Sequence, residues 1–252
     1  MHIDLNSDMG EIPQHIADGT QESMMRSITS VNIACGGHAG DEPSMKATLE
    51  QALRWNLTIG AHPGYPDREN FGRLELNMPF AQIEESIYGQ IRALAAVAES
   101  FATAIVHVKP HGALYNQAVH NAALSKTIAS GVARFSKDVV LVGLANSPML
   151  EIFRDSGFRV AAEAFADRQY EPDGTLRNRK FPDALIRDPE KAAAQAIRIA
   201  TKQGVIATDG SIVPIDAQTI CLHGDTPGAP EIAAAVAAGL QAAGVSLRPL
   251  AI

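Results

Sequence analysis

The chain has 252 residues, 46% hydrophobic and 19% charged, and 21 lysines and arginines against 28 aspartates and glutamates leave a formal net charge of −7. This composition supports the buried core of one large domain or two small ones and excludes disorder as the main state. No apolar run approaches the ~20 residues needed to span a bilayer, and no basic run supplies the positive field that nucleic acid or an anionic membrane requires.

The opening residues, Met1-His2-Ile3-Asp4-Leu5-Asn6, place no basic segment before an apolar stretch, so no secretory signal is visible. Only two cysteines occur, Cys35 and Cys221, without CxxC spacing. The expectation is a cytoplasmic protein without disulfides.

Strands are predicted over 2–5 and 31–34, after which Asp41-Glu42-Pro43 starts a helix toward Trp55, with Asp41 as N-cap and Pro43 in the first turn. A strand over 58–61 precedes the longest helix, 79–101, whose stripe is Ile83, Ile87, Ile91, Leu94 and Phe101. Further strands follow over 105–108, 139–142 and 159–162. The segment 167–182 carries Arg168, Arg177, Arg179 and Lys180, with Arg187 just beyond, around the turn signal Pro172-Asp173-Gly174. It reads as a long, basic, mobile loop. Asp188-Pro189-Glu190 then starts a helix with Ala193, Ala196, Ile197 and Ala200 facing one way and Lys191, Gln195, Arg198 and Lys202 the other. A small hairpin around Asp209-Gly210 spans 206–215, and a last strand covers 219–222.

The strands are apolar on both parities, as in strands covered on both faces. Repeated strand–helix units imply a parallel sheet with right-handed crossovers. Seven strands can form an open doubly wound sheet or close into a barrel, and the residues at the strand ends favour the barrel. No linker, repeat or low-complexity tract divides the chain, so a single domain over 1–252 is expected.

Six of the seven strand ends carry ionisable groups beside glycine or proline. The first bears Asp4, Asn6 and Asp8, which share parity, then Gly10 and Glu11; the second Cys35-Gly36-Gly37-His38; the third His62-Pro63-Gly64. The fourth has His107, Lys109 and His111, again of one parity; the sixth Glu163, Asp167 and Arg168; the last His223-Gly224-Asp225. The carboxyl-end rim is where loops of parallel α/β proteins converge on ligands. Singly, each feature has a plain structural reading: a histidine before glycine is usually a turn residue, Asp41 is fully explained as a cap, and a free cysteine is more often a small buried hydrophobe than a nucleophile. GGHAG is neither GxGxxG nor GxxxxGK[ST], so a dinucleotide or P-loop reading is weak. Recurrence carries the functional reading, because many desolvated charges on one rim lower stability unless paired or liganded. Histidines and carboxylates also form a common divalent-metal set, although no HxxxH or HExxH spacing ties a pair to one helix.

Several blocks resemble the LamB/YcsF family: Asp4-Leu5-Asn6-Ser7-Asp8-Met9-Gly10-Glu11, Asn32-Ile33-Ala34-Cys35-Gly36-Gly37-His38-Ala39-Gly40-Asp41, Ile59 to Asp67, Phe71-Gly72-Arg73, Val108 to Asn116, Glu163 to Arg168 and Leu222 to Asp225. The likeness covers essentially the whole chain in order and spacing. It implies an irregular seven-stranded parallel β/α barrel, similar to the glycoside hydrolase/deacetylase superfamily. It also implies a role, with 5-oxoprolinase subunits B and C, in ATP-dependent opening of the lactam 5-oxo-L-proline to L-glutamate. Leu74 stands where the pattern leads to a second arginine, which leaves Arg73 as the anion contact of its block. On this reading Asp8, His38, His62, His111 and Glu163 are acid–base candidates. Arg73, Lys109 and Arg168 are candidates for carboxylate or phosphoryl contacts, with His223 and Asp225, and Asn6 for the lactam amide. A divalent metal, if one binds, would be held by Asp8, His38 and His62. The alternatives are a metal-dependent amide or carbohydrate deacetylase and a non-catalytic substrate-binding subunit; homo-oligomerisation stays open.

Overall fold

The computed structural model describes residues 1–250. Among them the chain order is β1 (His2–Met9), α1 (Pro13–Ala17), α2 (Thr20–Met25), β2 (Ser30–Ala34), α3 (Glu42–Arg54), β3 (Thr58–His62), α4 (Phe80–Ser100) and β4 (His107–Val108). There follow α5 (Gly112–Ala118), α6 (Ala122–Phe135), β5 (Val140–Leu144), α7 (Pro148–Asp155), β6 (Arg159–Phe165) and α8 (Pro189–Ala200). The hairpin β7 (Val205–Ile206) and β8 (Ile212–Val213), then β9 (Thr219–Leu222), α9 (Ala229–Ala242) and β10 (Ser246–Leu247) complete it.

Strands β1 to β6 and β9 pair in parallel, and β1 joins both neighbours, β2 through Asn6↔Ser30 and β9 through Asn6↔Cys221. The sheet is therefore a closed seven-stranded barrel, as expected, and β10 adds to the amino-terminal part of β1 through His2↔Ser246. Alternate residues of each strand face the helices and form the main core, with Leu5, Val31, Ile33 and Ile220 buried among Leu49, Leu94 and Val236.

The barrel interior is polar and arranged in tiers. At the bottom Asp4 accepts hydrogen bonds from the hydroxyls of Thr29, Ser30 and Thr219. In the middle Asn6 donates to Glu163 Oε1 at 3.1 Å and accepts from Asn32 at 2.7 Å, while His107 Nε2 donates to Asn32 Oδ1 at 2.8 Å. At the top lie Asp8, His62 and Lys109. Buried polar groups are tolerated because nearly every one has a partner.

The first strand runs four residues beyond its expected end at Leu5, since its polar alternate residues face this interior rather than solvent. Asp41 closes a capping box with Ser44. Gln195 differs from expectation: it faces inward, and its amide donates to the carbonyls of Phe165 and Arg168, each at 2.8 Å. Helix α8 thereby clamps the chain that leaves β6. The basic segment expected as a mobile loop is tied down: Arg177 pairs with Glu171 at 2.9 Å and Asp183 at 2.8 Å, and Arg179 with Asp225 at 2.8 Å. No helix among the described residues is long and apolar enough to cross a membrane.

Candidate active site

A cavity of about 350 Å³ opens at the carboxyl ends of the strands. Asp8 and Glu11 reach it from β1, His62 from β3, Lys109 and His111 from β4, Arg168 from β6 and His223 and Asp225 from β9; Arg73 closes one side. Of the residues at the strand ends, Asp8, Glu11, His62, Lys109, His111, Arg168, His223 and Asp225 line this cavity, whereas Asn6, His38 and Glu163 are buried behind its wall and Cys35 lies in the core.

Lys109 is its central cation. The ammonium lies 3.0 Å from Asp8 Oδ1, 2.9 Å from Glu163 Oε1 and 3.0 Å from Cys221 Sγ. Burial favours its neutral form, but Asp8, Cys221 and Glu163 outweigh this and hold the amine well above the ordinary lysine range. Burial likewise opposes the Asp8 carboxylate, and the charges of His62 and Lys109 overcome it and hold the group well below the usual range. At neutral pH the two form a buried, hydrogen-bonded ion pair.

Beside it lies a second cluster around Glu11. Its Oε1 is 2.8 Å from His38 Nε2, 3.2 Å from His111 Nδ1 and 3.8 Å from His62 Nε2. The rings of His38 and His111 stack, with centroids 3.5 Å apart and planes 5° from parallel. Gly72, at φ +62, makes this possible: a Cβ there would lie 2.7 Å from that of His38. Burial, aided by His111, pushes the His38 imidazole down to about 3, so it is neutral at pH 7. Burial alone would lower His62 too, but the Asp8 carboxylate raises it.

Hydrogen bonding fixes the outward nitrogens of two of these rings. His62 Nδ1 faces the Lys109 carbonyl at 2.7 Å and His111 Nε2 faces that of Phe71 at 2.9 Å, so both nitrogens donate. In the neutral rings the lone pairs of His62 Nε2 and His111 Nδ1 then confront one another at 3.0 Å. Either a proton or a cation relieves that contact. One ligand-capable atom each from Glu11, His38, His62 and His111 lies within 4.8 Å of all the others. This donor set fits a divalent ion. It differs from the expected Asp8, His38 and His62, because Asp8 is engaged by Lys109 and by Asn32 at 2.8 Å and touches only His62, at 3.3 Å.

Other expected residues take more specific places. Asn6 lies beneath the cavity with both ends of its amide occupied, by Glu163 and Thr219 on one side and Asn32 on the other, so it positions neighbours rather than facing a lactam. Glu163 is buried, with one oxygen on Lys109 and the other without a partner. Arg168 is buried with an unpartnered Nε, and burial together with Arg179 lowers its guanidinium to about 10. Arg73 and Arg179 share Asp225 at the mouth. Cys35, weighed as a nucleophile, is a core residue whose thiol burial pushes up to about 12. Glu11, Tyr115, Asp167 and Cys221 join the site without a role that the sequence pattern assigns. Glu11 escapes because Gly10, at φ +76, turns the chain after Met9 and breaks the strand's parity; its place in a rim block of carboxylates is the available signal.

A closed parallel β/α barrel bearing buried ion pairs and clustered imidazoles on its carboxyl-end rim defines the class of this protein. Within that class, the chain belongs to the LamB/YcsF family, whose model matches residues 3–252. It is 48% identical over 248 residues to the A component of the 5-oxoprolinase of Chloroflexus aggregans, covering 98% of each chain. The corresponding 5-oxoprolinase component of Acinetobacter baylyi is 40% identical, again over 98% of both. Among solved structures, the lactam utilization protein of Thermus thermophilus superposes with a TM-score of 0.92 at 37% identity, covering 99% of this chain and 100% of that one. A family 4 carbohydrate esterase from Streptomyces lividans, with a TM-score of 0.53 at 11% identity over 98% of this chain and 91% of that one, shares the fold.

Proposed function

We propose that this chain is the A component of an ATP-dependent 5-oxoprolinase, which opens 5-oxo-L-proline to L-glutamate together with subunits B and C. The observation that carries the reading is that relatives 40% to 48% identical over nearly their whole length are named as the A component of 5-oxoprolinase. The site's chemistry supports it. A five-membered lactam is held closed by amide resonance, so opening it requires an activated carbonyl, a bound carboxylate and protons delivered to nitrogen. Phosphorylation of the amide oxygen by ATP supplies the activation.

Arg73, Arg168 and Lys109 offer cationic contacts for carboxylate and phosphoryl oxygens in the cavity. Asp8 and Glu163 keep Lys109 charged, and His62 and His111, joined through Glu11, can hold or move a proton beside it. The sequence carries no GxxxxGK[ST] motif, and on this reading the partner subunits contribute to ATP handling. The buried thiols of Cys35 and Cys221 suit a cytoplasmic setting. The test is a coupled assay for glutamate and ADP: the isolated chain is expected to show little 5-oxoproline-dependent ATPase activity, and addition of B and C to produce it.

The convergence of Glu11, His38, His62 and His111 favours a divalent ion as a second component. Bound there, it would supply Lewis-acid polarisation of a carbonyl. Protein purified without chelator is expected to carry close to one metal per chain and to melt at lower temperature after chelation, with His62→Ala abolishing both effects. Metal-free protein with an unchanged melt would leave a shared proton as the occupant.

A further inference from the structure

Asp167, at the exit of β6, and His223, at the exit of β9 and offered by the sequence only as an anion contact, form a pair that the proposed function leaves unused. Asp167 is buried, and His223 stands half-buried on the cavity wall. The aspartate holds the histidine twice: its Oδ2 accepts the backbone N–H of His223 at 2.8 Å, and both oxygens lie 3.0 Å from Nδ1. Burial would raise the Asp167 carboxyl, but His223 and Arg168 hold it below the ordinary range, so it stays charged. The ring also stacks on Phe165, with centroids 5.6 Å apart and planes 14° from parallel. One carboxylate and one aromatic face therefore fix both the orientation and the tautomer, with the proton on Nδ1 held by Asp167 and Nε2 left for another partner. A ring nitrogen of His223 lies within 4.8 Å of an Asp8 oxygen and of Cys221 Sγ, and Lys109 Nζ sits 5.5 Å from the centre of the same Phe165 ring.

We propose that His223 delivers the proton to the departing ring nitrogen of the lactam, and that Asp167 is its positioning residue. The proposal rests on the 5-oxoprolinase reading. Once the carbonyl oxygen carries the phosphoryl group, water adds to the ring carbon, which then bears a hydroxyl, the phosphate oxygen and the nitrogen. Loss of phosphate from that carbon restores the lactam and wastes the ATP. Cleavage of the C–N bond instead leaves the electron pair on nitrogen, which takes the Nε2 proton of the imidazolium. The proton released as the hydroxyl becomes a carbonyl restores the imidazolium, and a second water hydrolyses the acyl phosphate to carboxylate and phosphate. Protonation of nitrogen thus decides between productive and futile collapse, and His223 sets how much glutamate each ATP yields.

The experiment uses the full chain reconstituted with subunits B and C, measuring glutamate and ADP in the same reaction for wild type, His223→Gln, His223→Ala and Asp167→Asn. Wild type is expected to form one glutamate per ADP. In His223→Gln, glutamate formation falls ~10²-fold or more, the scale of a lost general acid. ADP formation falls less, so the ADP-to-glutamate ratio rises, and the KM for 5-oxoproline stays within a few-fold. Added imidazole restores glutamate formation in His223→Ala. Asp167→Asn, nearly isosteric, shows the same change in ratio with a loss confined to kcat, and decides the matter if the His223 variants do not fold. A wild-type ratio in the variants, or a loss confined to KM, overturns the proposal. Absence of glutamate from the wild-type complex overturns the 5-oxoprolinase reading itself, and this proposal with it.

Discussion

Asp8 is the carboxylate on which both halves of the site depend, since it neutralises Lys109 on one side and draws the charged form of His62 on the other. Asp8→Asn or His62→Ala is therefore expected to lower turnover of the reconstituted complex by ~10²-fold or more, with an unchanged circular dichroism spectrum. Near-normal turnover of both variants would place the chemistry elsewhere. Among single residues much is legible in the sequence. The shared parity of Asp4, Asn6 and Asp8, and of His107, Lys109 and His111, correctly points them into one interior. The roles within that interior are not legible, because they depend on contacts between strands: nothing local to Asn6 shows that Glu163, Asn32 and Thr219 already occupy its amide. Glu11 and Asp167 lie just past strand ends, where parity no longer predicts direction.

Between elements, β3 and β4 pair with Gly60 opposite His107. Gly60 leaves room for the His107 ring, since a Cβ at Gly60 would lie 2.0 Å from Nε2. Gly60→Ala is expected to destabilise the fold by ~3 kcal/mol or more, the upper range for an overpacked core, measured by denaturant unfolding; a loss within experimental error would show that the ring can move aside. Burial, reinforced by the Lys109 charge, also lowers His107 from 6.5 to about 3. As pH falls below 6.5 the unfolded chain takes up a proton that folded His107 refuses, so stability declines from 6.5 toward 3. The slope from this group is at most ~1.4 kcal/mol per pH unit. His107→Gln, which keeps a donor for Asn32, is expected to flatten that decline, and an unaltered slope would remove His107 as a cause. The helix starts at Asp41 and Asp188 are readable because their caps are local. The burial of Gln195 is not, because its partners are carbonyls of another element, about thirty residues away in sequence.

Across the whole molecule, closure is the feature that makes a site from scattered segments. It rests on β1 meeting β9, which brings Asn6 within 2.6 Å of Thr219, 213 positions away in the chain. The seven strands and their parallel order follow from hydropathy, but closure is a long-range pairing that no local pattern encodes; only the ionisable strand ends hint at it. The pocket formed by this closure, on the reading proposed above, opens a lactam in concert with partner subunits. The decisive measurement is 5-oxoproline-dependent formation of glutamate and ADP by the chain alone and with subunits B and C. Little turnover is expected alone, and coupled release of both products in the complex. Robust turnover by the isolated chain, or none in the complex, would contradict that reading.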